Sequence, residues 1–120
     1  MQAQVAKTVN VLVVDDENFW HRTLKGGLED KGFAIISAYN VSEARRILRE
    51  GSDIDVILVD DCLNGRQIDT LDFVAEVKKM GFPGRVVAFC SNCNNGDMLL
   101  QTGCDQSTIK SRACDLLLAF

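Results

Sequence analysis

A chain of 120 residues, 47% of them hydrophobic and 25% charged, is long enough for one domain with a core of its own. Its net charge of −4 and pI near 4.9 argue against a nucleic-acid-binding surface, and no apolar run is long enough to span a bilayer. Met1-Gln2-Ala3-Gln4 lacks the basic start and apolar core of a secretory signal, so a cytoplasmic location is expected, with Cys62, Cys90, Cys93, Cys104 and Cys114 as reduced thiols. Cys90-Ser91-Asn92-Cys93 is a lone C-x-x-C without the second ligand pair of a structural zinc site.

Residues 1–8 read as a short polar leader, and the whole chain, 1–120, as a single domain. Val9 to Val14 form a continuous apolar run, the pattern of a strand buried on both faces. Asp15-Asp16-Glu17-Asn18 follow as a turn that can cap a helix. The spacing of Phe19, Thr23, Leu24 and Leu28 predicts a helix over Phe19 to Asp30, weakened by Gly26-Gly27 at roughly 1 kcal/mol per glycine. Gly32 suits its left-handed end. Phe33 to Ala38 is the second strand. Asn40-Val41-Ser42-Glu43 resembles a capping box. The helix after it sets Val41, Ala44, Ile47 and Leu48 on one side and Arg45, Arg46 and Arg49 on the other, as a solvated face.

Gly51-Ser52 stops that helix, and Val56 to Val59 is the third strand. Cys62 to Ile68 reads as a loop, and Asp69-Thr70 as the cap of a helix carrying Leu71, Val74, Ala75 and Val77. Gly81-Phe82-Pro83-Gly84 breaks the chain before a fourth strand, Val86 to Phe89. A short helix from about Asp97 to Thr102, a short strand over Ser107 to Ile109 and a last helix from Arg112 to Phe120 complete the order.

Strand and helix alternate throughout, which implies a parallel sheet with helices on both faces. If the chain reverses its winding after the second strand, the first and third strands are neighbours, and a site forms off their carboxyl ends. Asp15-Asp16, Asp60-Asp61, Cys90-Ser91 and Lys110 each follow a strand and therefore share one sheet edge. Carboxylates packed together repel and push one pKa up. A hard divalent cation relieves this, and Mg²⁺ prefers a few carboxylates plus water and phosphate oxygens. With the Lys110 ammonium, such a cation facing one aspartate is an arrangement that accepts a phosphoryl group, the carboxylate serving as in-line nucleophile. Taken singly, Asp15 and Asp16 would be helix caps and Lys110 a surface residue. Asp61 and Glu17 read as solvated acids.

VLVVDDE (Val11–Glu17), DVILVD (Asp55–Asp60) and GCDQSTIK (Gly103–Lys110), in this order and at these separations, resemble the response-regulator receiver domain of two-component signalling over essentially the whole chain. The resemblance implies an α/β, flavodoxin-like doubly wound fold with a five-stranded parallel sheet in the order 2-1-3-4-5. It makes Asp60 the phosphoacceptor, and Asp15, Asp16, Asp60 and the backbone carbonyl of Cys62 the Mg²⁺ ligands. Lys110 pairs with the carboxylate and then with the phosphoryl group. The hydroxyl-bearing switch residue of the family falls on Cys90, or on Ser91 if the alignment slips by one. The implied partners are a histidine kinase or phosphotransfer protein, as the phosphohistidine donor, and a downstream protein of unknown identity. No DNA or membrane partner is expected, and any activity is limited to self-phosphorylation and slow autodephosphorylation.

The departures from the family bear on signalling. Cys90 stands where the family has Thr or Ser, and a thiol is a weak donor. Ser107 occupies the position of the usual aromatic on the fifth strand, Ser111 that of the proline after the lysine, and Asn64 that of the proline after the acceptor loop. The last helix spans only about nine residues, roughly 13 Å. These changes motivate an alternative function, a receiver-like module that binds its partner regardless of phosphorylation. A thiol-based redox sensor built on Cys62, Cys90 and Cys93 is a further alternative. A flavodoxin-like redox protein is disfavoured, because acids rather than a phosphate-cradling loop follow the first strand.

Overall fold

The computed structural model describes residues 8–51, 53–61, 63, 67–91 and 96–120. The strands are β1 (Val9–Val14), β2 (Phe33–Ala38), β3 (Val56–Asp60), β4 (Arg85–Cys90) and β5 (Gln106–Ile109). The helices are α1 (Asn18–Leu28), α2 (Val41–Arg49), α3 (Gln67–Lys79), α4 (Gly96–Thr102) and α5 (Ala113–Leu118). All strand pairs are parallel and the order is β2-β1-β3-β4-β5, as the alternation of elements and the resemblance imply. Among the described residues no helix is long and apolar enough to cross a membrane.

The unbroken apolar runs are explained by burial on both faces. Leu12, Val14, Ile57 and Val59 pack beneath α2, α3 and α4 with Ala44, Phe73, Val77 and Leu99. Val11, Val13, Val56 and Leu58 face the other way, onto Leu24 and Leu28 of α1 and Ala113 and Leu117 of α5. The register pairs Val14 with Val59, so the chain leaves β1 and β3 at the same level. Asp15 therefore emerges beside Asp60, the last residue of β3.

Several local expectations hold for identifiable reasons. Asn40 caps α2 by accepting from Glu43 N at 2.8 Å, while Glu43 Oε1 accepts from Tyr39 N at 2.7 Å. Gly32 lies at φ +88°, the left-handed conformation that ends the turn after α1. Gly27 earns its place by packing: a Cβ there would stand 3.0 Å from Cys114 Sγ, so its absence lets α1 and α5 approach.

Others are corrected. α1 stops at Leu28 and Glu29–Lys31 tighten into a 3₁₀ turn. α3 begins at Gln67, so Asp69 and Thr70 lie within its first turns and do not cap it. The Thr70 hydroxyl instead donates to the Asp60 carbonyl at 2.9 Å, with Leu63 N pointing at it from 3.4 Å. The last helix is shorter than its apolar spacing suggests. Lys110–Arg112 form a 3₁₀ turn, and Ala119 and Phe120 bond back three residues, to Leu116 and Leu117. Arg45 is not simply solvated, since its Nε lies 2.6 Å from Glu76 of α3.

Candidate functional site

The carboxyl edge of the sheet collects the acids. Asp15 is fully buried, Asp60 4% exposed, and Asp16 exposed at the turn's outer side. Asp15 is held at every polar atom. Its N–H donates to the Ala38 carbonyl at 3.0 Å, Oδ1 accepts from Glu17 N at 2.8 Å, and Oδ2 accepts from Lys110 Nζ at 2.7 Å. The fourth partner, at its carbonyl oxygen, is His21 Nε2 at 2.7 Å. Asp15 thus shapes the turn into α1 from within, rather than capping the helix.

Lys110 comes from the 3₁₀ turn after β5 and is 4% exposed. Its ammonium also lies 3.2 Å from Asp60 Oδ1. The Phe89 and Trp20 rings flank it, with centroids 5.2 and 5.7 Å from Nζ, and these two rings meet edge-on. Burial alone would lower the pKa of Lys110, but the bond and charge of Asp15 and the charge of Asp60 outweigh it and hold the pKa above its ordinary value.

Asp61 was expected to be solvated, yet it is 2% exposed and hydrogen-bonds the Asp60 side chain. Burial, this bond and the Asp15 charge push the Asp60 carboxyl up to about 7, against the opposing pull of Lys110. The sequence clue to Asp61 was weak, because an acid following an acid at a strand end is ordinarily on the surface.

Carboxylate oxygens of Asp15, Asp16 and Asp60 lie within 4.8 Å of one another. Oxygens around one small divalent cation with 2.0–2.1 Å bonds stand roughly 3 to 4 Å apart. An all-carboxylate donor set at this spacing suits a hard cation, and a cation would offset the repulsion that raises Asp60. The Cys62 carbonyl, expected as a further ligand, lies outside the described residues, as do Asn64 and Cys93.

Cys90, the last residue of β4, is 1% exposed and close enough to Asp61, Asp60 and Lys110 to feel their charges. Ser91 is exposed. Burial first, then Asp61 and Asp60, push the Cys90 thiol up to about 12. Cys104 is raised to about 12 as well, again chiefly by burial.

Sequence reasoning missed His21 and Thr70. His21 could have been noticed as the first member of the buried stripe His21-Leu24-Leu28, which aims it at the sheet six residues after Asp15. Thr70 carried no signal beyond its resemblance to a cap.

The family model described as response regulator receiver domain matches residues 11–118. A putative NtrX-like response regulator of Rickettsia felis is 34% identical over 71 residues, covering 59% of this chain and 15% of that protein. The chain thus spans a small part of the length of the curated relatives it matches. A solved response regulator from Thermotoga maritima superposes with a TM-score of 0.80 at 25% identity, covering 93% of this chain and 92% of that one. A Burkholderia pseudomallei response regulator, solved with a phosphorylated aspartic acid, calcium ion and citrate, gives a TM-score of 0.78 at 26% identity, over 92% of this chain and 65% of that one.

Proposed function

This chain belongs to the response-regulator receiver family, and from that premise we propose that it accepts a phosphoryl group on Asp60 from a phosphohistidine of a histidine kinase or phosphotransfer protein in the cytoplasm. The observation that carries the reading is the Lys110 ammonium shared by Asp15 and Asp60 at 2.7 and 3.2 Å inside an acidic cluster. An Asp60 oxygen attacks phosphorus in line while the P–N bond to the donor imidazole breaks, the electron pair leaving on the imidazole nitrogen. Lys110 lies where it can neutralise charge on the transferred group. Asp15, Asp16 and Asp60, together with the Cys62 carbonyl, are the residues that would hold Mg²⁺. Bound there, Mg²⁺ supplies positive charge for the phosphoryl oxygens and favours the ionised form of Asp60. The phosphorylated aspartic acid and calcium ion of the Burkholderia pseudomallei regulator support the same chemistry here.

Cys90, buried beside Asp60, is the proposed switch group rather than exposed Ser91. A thiol donates weakly, and this observation favours a second reading, a module that binds its downstream protein whether or not it is phosphorylated. Incubation with Mg²⁺ and a small acyl-phosphate donor, followed by intact mass, tests the first. The proposal expects one base-labile phosphoryl adduct that requires Mg²⁺ and is absent from Asp60→Asn. No adduct on the wild type contradicts it.

A further inference from the structure

We propose that His21 is a positioning residue for the acidic loop, acting on divalent-cation affinity through the backbone of Asp15. The inference rests on the reading of Asp15, Asp16 and Asp60 as the Mg²⁺ site.

His21 is 1% exposed on α1 and its Nε2 meets the Asp15 carbonyl oxygen at 2.7 Å. A carbonyl only accepts, so Nε2 carries the hydrogen. The ring packs against that of Tyr39, with centroids 4.2 Å apart. Tyr39 is itself anchored where its hydroxyl donates to Asn18 Oδ1 at 2.8 Å. The end of β2, the start of α1 and the acidic turn are thereby joined through one imidazole.

The second ring nitrogen shows that this is more than filling. Among the described residues His21 Nδ1 is buried with no hydrogen-bond partner. Burying it carries a desolvation cost that a leucine or phenylalanine in the same stripe would avoid. The compensating feature is the single N–H aimed at the peptide joining Asp15 to Asp16. That peptide sets where the Asp16 carboxylate points relative to Asp60. A partner one bond removed from the ligands that fixes their orientation is the arrangement known to tune metal affinity.

The test is the gain in unfolding free energy, by urea at one temperature, across a MgCl₂ series, which follows RT ln(1 + [Mg²⁺]/Kd) and so gives an apparent Mg²⁺ Kd whatever the starting stability. Four variants are compared with the wild type. His21→Phe keeps a ring against Tyr39 but has no N–H. His21→Gln keeps an amide N–H at a similar reach. Asp16→Ala removes an exposed carboxylate of the site. Leu117→Ala, buried on the α1–α5 side of the sheet, destabilises the fold without touching the loop. His21→Phe is expected to bind Mg²⁺ about tenfold or more weakly, with His21→Gln within about threefold of wild type and Leu117→Ala at the wild-type Kd despite its lower stability.

A wild-type Kd in His21→Phe overturns the inference. So does a Leu117→Ala loss equal to that of His21→Phe, or a His21→Gln as weak as His21→Phe. A wild-type response abolished by Asp16→Ala but untouched by His21→Phe removes the role of His21 and leaves the metal site standing. No Mg²⁺ response in the wild type overturns both.

Discussion

Lys110 is bound more closely to Asp15, at 2.7 Å, than to Asp60, at 3.2 Å. The ammonium is thus tethered by the residue that shapes the turn while it leans on the proposed acceptor. Removing it leaves buried carboxylates facing each other uncompensated. Lys110→Ala is expected to lose about 3 kcal/mol of stability near neutral pH, in the range for breaking one side of a buried pair. Urea unfolding in EDTA measures this, and added Mg²⁺ should restore part of the loss. A stability equal to wild type would show that the pair contributes nothing net.

Asp60 makes the metal-free protein sensitive to pH in an unusual direction for an aspartate. Its ordinary value is 3.8 and its folded value is raised to about 7, so the folded state keeps a proton that the unfolded chain has given up. The contribution is fully present below 3.8 and is lost as pH rises through about 7. Relative to Asp60→Asn, the wild type should therefore lose stability across that window, by at most about 1.4 kcal/mol per pH unit. Parallel pH profiles of the two proteins in EDTA would contradict this. Mg²⁺ at the upper end of the window should narrow the gap.

Thr70 links α3 to β3 through the Asp60 carbonyl, 2.9 Å from its hydroxyl. Thr70→Val keeps the shape and removes the donor from a fully buried position. The expected cost is about 1 to 3 kcal/mol in urea unfolding. A loss of only a few tenths would mean that the carbonyl finds another donor.

Cys90 and Cys104 should behave as inert thiols. With pKa values near 12, the thiolate fraction at pH about 8 is on the order of one part in ten thousand. Maleimide labelling of the native protein, followed by peptide mapping, should leave both unmodified, and labelling in denaturant should modify both. Fast native labelling of Cys90 would revive the redox reading.

The strands were legible because burial on both faces forces continuous apolar runs such as Val11 to Val14 and Val56 to Val59. The gathering of Asp15, Asp60 and Lys110 was legible too, because strand ends in a parallel sheet share an edge. What stayed hidden depends on tertiary neighbours. Asp61 is 2% exposed, and nothing in an acid that follows an acid at a strand end distinguishes it from a surface residue. The N-terminal boundary of α3 was misplaced because Thr70 looks like a cap yet its hydroxyl serves Asp60. The last helix was overextended because apolar spacing in Ala113, Leu116, Leu117 and Phe120 does not reveal that the final turn tightens. His21 is one more helical residue in the sequence, and only the tertiary fold sets the Asp15 carbonyl opposite its ring.

The central claim is that Asp60 itself becomes the acyl phosphate. Borohydride reduction converts an aspartyl phosphate to homoserine, so the protein treated with Mg²⁺ and a small acyl-phosphate donor can be reduced, digested and read by fragment masses. Homoserine at position 60, dependent on both Mg²⁺ and donor, is the predicted result. Homoserine at position 15, 16 or 61, or at no position while the wild type carries a phosphoryl adduct, would contradict it.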